Sequence, residues 1–369
     1  MKLAIVRRRH AAFGGAERFI ENIAAGLATI GHNLTIVSES WPDGGGNIEH
    51  VTVPSHGLTR RGKLANFQRE VAAIVARSKF DLVQTHERLL TADIFRAGDG
   101  VHAAWLARLA TEQGAVKDLM RRLSPMHSLV KATERRMARE TGMIFVANSA
   151  LVARELADWL DVPANRIRTI ENGVDIVSFH PPSAAERDAA RQRLNLHGDA
   201  PVVAFVGSGF ERKGAFKLVE ALALPQCASI RALIAGRDRR QDALRRRIET
   251  LGLAGRVQLL GGVDDPRTVY HAADLFALPS LYDPMPNAAL EALACGLPLL
   301  VTADTGIADA VGDSGAGVVV TRSPDDIARG LSGIVAQRDA MAKAVASLAP
   351  RFDLNATTAQ WLNLYRELA

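Results

Sequence analysis

The sequence predicts an α/β protein built from two doubly wound domains, and three observations carry that reading. Short runs of Val, Ile and Leu alternate with amphipathic helical segments from end to end, the pattern of parallel sheets covered on both faces. The same alternation restarts after the polar stretch 181–199. The chain has 369 residues, 48% hydrophobic and 23% charged, enough for two cores at roughly 100 to 200 residues per domain. The expected division is an N-terminal domain over 1–172, a C-terminal domain over 173–350, and a closing helix over 351–369 that packs back toward the first domain.

Residues 3–6 form the first strand and lead through Gly14 and Gly15 into a helix. Along that helix Phe19, Ile20, Ile23, Leu27 and Ile30 recur at helical spacing, and Gly31 stops it. Strands follow at 34–37, 81–83 and 143–146, and 166–170 opens the crossing to the second half. There the strands are 201–206, 232–235, 257–260, 275–278 and 297–301. Ligands of such sheets sit at the carboxyl ends of the strands, here expected in the cleft where the two domains face each other.

Composition removes several classes. Two cysteines, Cys227 and Cys295, lack CxxC spacing and a nearby histidine cluster, which argues against a disulfide framework or a zinc site. The first residues do not form a signal peptide, and no apolar run is long enough to span a bilayer, so a cytoplasmic protein is expected. Net charge is +5, and residues 102–139 hold eight basic side chains against three acidic ones. The excess is therefore a local basic surface. Within it Val116, Leu119, Met120 and Leu123 fall at helical spacing beside Lys117 and Arg121, and Ser124 and Pro125 begin a new helix bearing Met126, Leu129 and Val130. A cationic helix pair with an apolar face fits a dock on an anionic membrane surface; the alternative is that the apolar residues face the core and the cations are solvated. Nothing in the sequence calls for a nucleic acid partner.

The glycine turn at 207–214 holds Gly207, Gly209, Arg212, Lys213 and Gly214. It is no dinucleotide fingerprint, because Arg212 stands where the third glycine belongs, and no Walker A loop, because Ala215 follows Gly214. Two adjacent cations between a strand end and a helix start fit a phosphate. A second constellation spans 278–298, where Asp283 opens a loop and Glu291 lies eight residues on, inside the next helix. Such a loop can wrap a sugar with one carboxylate while the other holds a ribose diol. The turn around Gly14 and Gly15 lets a ligand approach the first strand's end. Between residues 85 and 102, Asp99 and His102 are candidates to face the cleft.

Together these features resemble the large family 4 of retaining glycosyltransferases, whose fold is GT-B, two Rossmann-like domains. The carriers are Gly14 and Gly15, residues 172–175, Gly207 with Arg212 and Lys213, residues 260–262, Ala273 and Asp274 before 278–280, and the acid-x7-Glu motif ending at 295–298. They run along nearly the whole chain in the family's order. The resemblance implies a UDP-sugar donor with no resident cofactor and no metal. Arg212 and Lys213 would meet the diphosphate, and Glu291 the ribose. Asp283 and the loop through Met285, Asn287 and Ala288 would meet the sugar, and Val263 would lie beside the base. Gly14, Gly15 and Gly207 would line the donor site, and Asp99, Arg212, Lys213 and Asp283 would serve catalysis. The first acid of the motif is normally glutamate, and Asp283 is one methylene shorter.

Residues 38–41, 85–88 and 96–105 bring the chain nearest to the lipopolysaccharide core enzymes that add glucose to heptose. The expected function is transfer of a hexose, glucose first, to that core at the inner membrane face. Another lipid-linked or exopolysaccharide acceptor, a nucleotide-sugar epimerase and a non-catalytic nucleotide-sugar sensor are the alternatives.

Overall fold

The computed structural model describes residues 1–9, 15–29, 33–41, 48–54, 56–114, 119–121 and 123–369. The chain divides into two compact units, one of Met1–Glu171 with Asn355–Ala369, the other of Asn172–Leu354. Each has its own parallel sheet.

The N-terminal sheet has seven strands, β1 (Lys2–Val6), β2 (Asn33–Ser38), β3 (Ile48–Thr52), β4 (Leu82–Thr85), β5 (Ile94–Arg96), β6 (Ile144–Ala147) and β7 (Ile167–Thr169), in the spatial order β3-β2-β1-β4-β5-β6-β7. Leu3 and Ile5 pack under the helix Gly15–Thr29, whose Ile20, Ile23 and Leu27 share their cluster. The helix Leu354–Leu368 belongs to the same body, because Trp361, Leu364 and Tyr365 are buried in that cluster. Burial of side chains this large stabilises by about 1.5 to 3 kcal/mol each, which is why the last helix holds its place.

The C-terminal sheet has six strands, β8 (Val202–Val206), β9 (Arg231–Ala235), β10 (Val257–Gly261), β11 (Leu275–Leu278), β12 (Leu299–Thr302) and β13 (Gly317–Val320), in the order β10-β9-β8-β11-β12-β13. All its pairings are parallel. β8, β11 and β12 read as almost unbroken apolar runs because helices cover both faces.

Each order reverses direction once, between β1 and β4 in the first sheet and between β8 and β11 in the second. The loops leaving those strands diverge to opposite faces there and open a crevice at the carboxyl ends. Among the described residues, no helix is long and apolar enough to cross a membrane.

Candidate active site

In the C-terminal unit the crevice lies between the loops after β8 and β11. The β8 loop carries Gly207, then a single helical turn Phe210–Lys213. Gly214 follows with φ +87°, and a Cβ there would come within 2.2 Å of the Pro279 carbonyl oxygen. Only glycine lets the two loops approach this closely. The Leu281 N–H donates to the Arg212 carbonyl at 2.7 Å and completes the join.

Arg212 and Lys213 therefore reach the β11 loop. Lys213 Nζ lies 3.1 Å from Asp283 Oδ2, and Arg212 Nη1 lies 3.6 Å from the same oxygen. The Arg212 Nη1 also donates to the Tyr282 carbonyl at 2.7 Å. Two cations face one carboxylate, so the cluster keeps a net positive charge. The Lys213 stem crosses Gly207, where a Cβ would sit 2.8 Å from Lys213 Cδ. Asp283 is buried and its backbone is pinned, its N–H donating to the Asp304 carbonyl at 3.1 Å while its carbonyl accepts from Gly306 at 2.8 Å.

Arg212 and Lys213 stand between the end of β8 and the start of the helix Ala215–Leu222, as expected, but they also close the short helical turn, and N–H groups at the start of that turn are already taken. Gly209 and Phe210 both donate to Asp238 Oδ2, at 2.8 and 2.9 Å. Burial works against the charge on Asp238, but these donors and the Arg240 N–H outweigh it and hold its pKa below the usual carboxylate value. The positive charge at this crevice is carried by the two side-chain cations, and the start of the short turn adds no free N–H from Gly209 or Phe210.

Most of the other residues expected on the donor side follow the β11 loop. Met285 is buried, and its carbonyl accepts from Asn172 Nδ2 at 3.1 Å. Asn287 opens the helix Asn287–Ala294, and its Oδ1 accepts from the same Asn172 nitrogen at 2.9 Å. Asn172 thus fixes the loop from the start of the unit. Ala288 follows half-buried. Glu291, one turn further, is buried and accepts from the Tyr270 hydroxyl at 2.8 Å. Val263 lies just after β10, half-buried against the core. Sequence reasoning missed Tyr270 and Asp238. A buried tyrosine hydroxyl needs a partner, which is the signal that would have pointed to Tyr270. Cys227 and Cys295 are buried free thiols whose pKa burial pushes up to about 11 and about 12.

The other candidates lie in the N-terminal unit. Gly15 opens the helix Gly15–Thr29, and Gly14 falls outside the described residues. Asp99 stands in the loop after β5, 73% exposed, 3.8 Å from Arg88 Nη1. Arg88 is anchored in turn by buried Glu134, 3.1 Å away, which also accepts from the His102 N–H at 3.2 Å. His102 Nε2 meets His127 Nδ1 at 3.0 Å. Burial, then Arg88, His127 and Lys131, lowers the His102 pKa to about 4.

In the basic window the helix Pro125–Glu140 begins where expected, with proline in its first turn; Ser124 occupies the cap position but makes no side-chain cap bond. Leu119, Met120 and Leu123 are 57%, 69% and 72% exposed, so these apolar residues do not face a core. Arg108, Arg136 and Arg139 pair with Glu155, Glu140 and Asp161, which neutralises part of the window. Val116 and Lys117, and also Arg122, lie outside the described residues.

Comparison with known proteins accounts for both units. Residues 13–178 match Glycosyltransferase Family 4, and residues 186–348 match Glycosyl transferases group 1. The D-inositol 3-phosphate glycosyltransferase of Salinispora tropica is 30% identical over 88% of this chain and 73% of its own length. The chain is a family 4 glycosyltransferase. This glycosyltransferase is also 26% identical to the lipopolysaccharide glucosyltransferase WaaG of Escherichia coli K12, over 87% of this chain and 85% of that one. The crystal structure of WaaG superposes with a TM-score of 0.85 at 23% identity, covering 98% and 99% of the two chains. Anabaena HepE in complex with UDP and glucose superposes with a TM-score of 0.76 at 20% identity over both full lengths. The two-sheet architecture is that of the GT-B neighbours, as the sequence led one to expect.

Proposed function

We propose that this glycosyltransferase is a retaining enzyme that moves glucose from UDP-glucose to a heptose of the lipopolysaccharide core, on the cytoplasmic face of a membrane and without a metal ion. The observation that carries the donor side is the convergence of Arg212 and Lys213 on Asp283 at the switch point of the C-terminal sheet. A diphosphate leaving group gains charge as the C1–O bond breaks, and two fixed cations in a partly buried crevice stabilise that charge with no reorganisation at the moment of reaction. Same-face attack retains the anomeric configuration. The acceptor hydroxyl bonds to C1 on the side from which the diphosphate departs, and its proton passes to the departing phosphate oxygen. Asp283, shortened by a methylene but held by backbone on both sides, and the loop through Met285, Asn287 and Ala288 position the sugar; Glu291, steadied by Tyr270, takes the ribose diol. Val263 lies beside the base, and Gly207 gives backbone access.

The whole-length likeness to WaaG supports glucose and lipopolysaccharide. A second reading, a phosphorylated inositol as acceptor, is favoured by the 30% identity to the Salinispora enzyme. A UDP-release screen of UDP-sugars against a heptose-terminated core and against D-inositol 3-phosphate decides between them; release with neither acceptor sinks both.

The sequence contains no Asp-x-Asp pair, the usual carboxylate clamp for a divalent ion on the diphosphate. Turnover is expected to survive EDTA, and loss on chelation restored by manganese or magnesium contradicts the metal-free reading. The exposed apolar side chains Leu119, Met120 and Leu123 beside Arg121 support the membrane dock. Each Lys or Arg near an anionic surface contributes about 1 kcal/mol, screened over about 8 Å at physiological salt. Changing Arg121, Arg122, Arg135 and Arg136 to Glu is expected to abolish sedimentation with anionic vesicles and leave UDP-sugar affinity unchanged. A wild-type protein that ignores such vesicles at low salt refutes the dock.

A further inference from the structure

At the switch point of the N-terminal sheet, three buried polar side chains form a line that the proposed donor chemistry does not use. The Tyr365 hydroxyl donates to Gln84 Oε1 at 2.7 Å, and Gln84 Nε2 lies 3.0 Å from His86 Nε2. Tyr365 and Gln84 are fully buried and His86 is 5% exposed. The tyrosine hydroxyl gives its proton to the amide oxygen, so the amide nitrogen faces the ring and donates to it. His86 Nε2 is therefore an acceptor, and the ring's proton sits on Nδ1.

That Nδ1 is buried with no hydrogen-bond partner among the described residues. A buried unpaired donor costs about 1 to 3 kcal/mol, so its presence calls for an occupant. Its place narrows what that occupant is. His86 is the first residue beyond β4, and its N–H donates to the Val6 carbonyl at the end of β1 at 3.0 Å, so it stands at the reversal of strand order, where open α/β sheets take their ligands. Two strands along, Asn148 is the first residue beyond β6; its Nδ2 donates to the Gly98 carbonyl at 3.1 Å, and its buried Oδ1 has no partner among the described residues. An unpaired donor and an unpaired acceptor at one end of the sheet call for a ligand that both accepts and donates. A polyol does both with its hydroxyls, whereas a bare phosphate only accepts.

We infer that His86, fixed as the neutral Nδ1–H tautomer by the Tyr365–Gln84 relay, donates a hydrogen bond to a hydroxyl of the polyol acceptor at the carboxyl end of the N-terminal sheet. The inference rests on the transferase reading given above. Burial, followed by Arg96 and Arg7, holds the His86 pKa well below its ordinary value and keeps the ring neutral. Phe19 packs against the ring, centroids 5.4 Å apart, and fixes its plane. Gln84 and Tyr365 are positioning residues that act through His86.

Ring-nitrogen NMR of the full chain at neutral pH tests the relay without any turnover. His86 is expected as the Nδ1–H tautomer in the wild type and as a mixture in Tyr365→Phe; an Nε2–H ring in the wild type overturns the inference. Kinetics test the contact, with UDP-glucose and a heptose-terminated core oligosaccharide as substrates. His86→Gln places an amide near the Nε2 position and nothing at Nδ1, and should raise the acceptor KM about five- to tenfold, the worth of one hydrogen bond, with the donor KM unchanged. His86→Asn returns an N–H near the Nδ1 position and should keep the acceptor KM within about twofold. Equal rises in both variants, or a rise in donor KM, overturn the contact. A wild type that does not glucosylate heptose defeats the lipopolysaccharide reading instead, and the same variants are then compared on D-inositol 3-phosphate while the ring spectrum stands by itself.

Discussion

The two sheets follow one topological rule and fill its crevice with opposite chemistry. At the β8/β11 reversal the groups are charged and partly open to water, with Arg212 at 39% and Lys213 at 14% side-chain exposure around one carboxylate. At the β1/β4 reversal they are neutral and buried, a Tyr365–Gln84–His86 line. Charge near water is cheap to keep and attracts an anion of any detailed shape. A buried neutral donor is costly unless its partner has the right geometry, so it discriminates among ligands. On the proposed reading, the contrast assigns affinity for a diphosphate to the C-terminal sheet and selection of a hydroxyl pattern to the N-terminal one.

Removing the charge is the sharpest way to break that contrast. Arg212→Ala or Lys213→Ala deletes a charge-assisted contact worth about 1.5 to 3 kcal/mol, so each should lower donor-dependent turnover roughly tenfold to a hundredfold. Circular dichroism should show the fold retained, because neither side chain belongs to the core. Wild-type turnover in both variants refutes the donor site.

A smaller effect is expected one step behind the charges. Tyr270→Phe deletes the hydroxyl that steadies Glu291 while leaving the ring in its cluster. Loss of about 0.5 to 1.5 kcal/mol should raise the donor KM roughly two- to tenfold with little change in acceptor KM. A change confined to the acceptor KM would reverse the assignment of the two sheets.

The mildest test is pH, and it reads the buried side. His86 and His102 both have folded pKa values below the ordinary one near 6.5, His102 at about 4. The unfolded chain thus binds protons that the folded chain refuses, and stability rises with pH across that range. Their contribution is complete above about pH 6.5 and is lost as pH falls toward 4. Thermal melting should show a lower midpoint at acid pH, and His102→Asn should flatten the decline; an unchanged slope removes His102 from this account.

Legibility in the sequence followed the size of the apolar signal. The strands with four or five consecutive apolar residues, β8 and β11, were readable because burial on both faces imposes an unbroken run. β5 escaped because it has three residues, one of them Arg96, and β3 because Ile48–Thr52 interrupts its apolar residues with Glu49 and His50. β13, Gly317–Val320, carries three valines and was missed despite that signal. In the candidate site, Arg212, Lys213, Asp283 and Glu291 stand within two short segments, and their spacing could be read. Tyr270 reaches Glu291 across 21 positions and Tyr365 reaches Gln84 across 281, and no local pattern encodes such pairs.

The Tyr365–Gln84 bond also bears on the order of folding. Asn172–Leu354 is continuous in sequence and can close its sheet as soon as it has been synthesised. The N-terminal unit has all its strands much earlier, but Trp361, Leu364 and Tyr365 reach its core only at the end of the chain. Contacts this distant in sequence form late, because loop closure must be met before they contribute. The first unit made is thus the last one finished, and until then Leu3, Ile5 and Ile20 lack part of their apolar cover, the kind of exposed surface that makes folding intermediates associate.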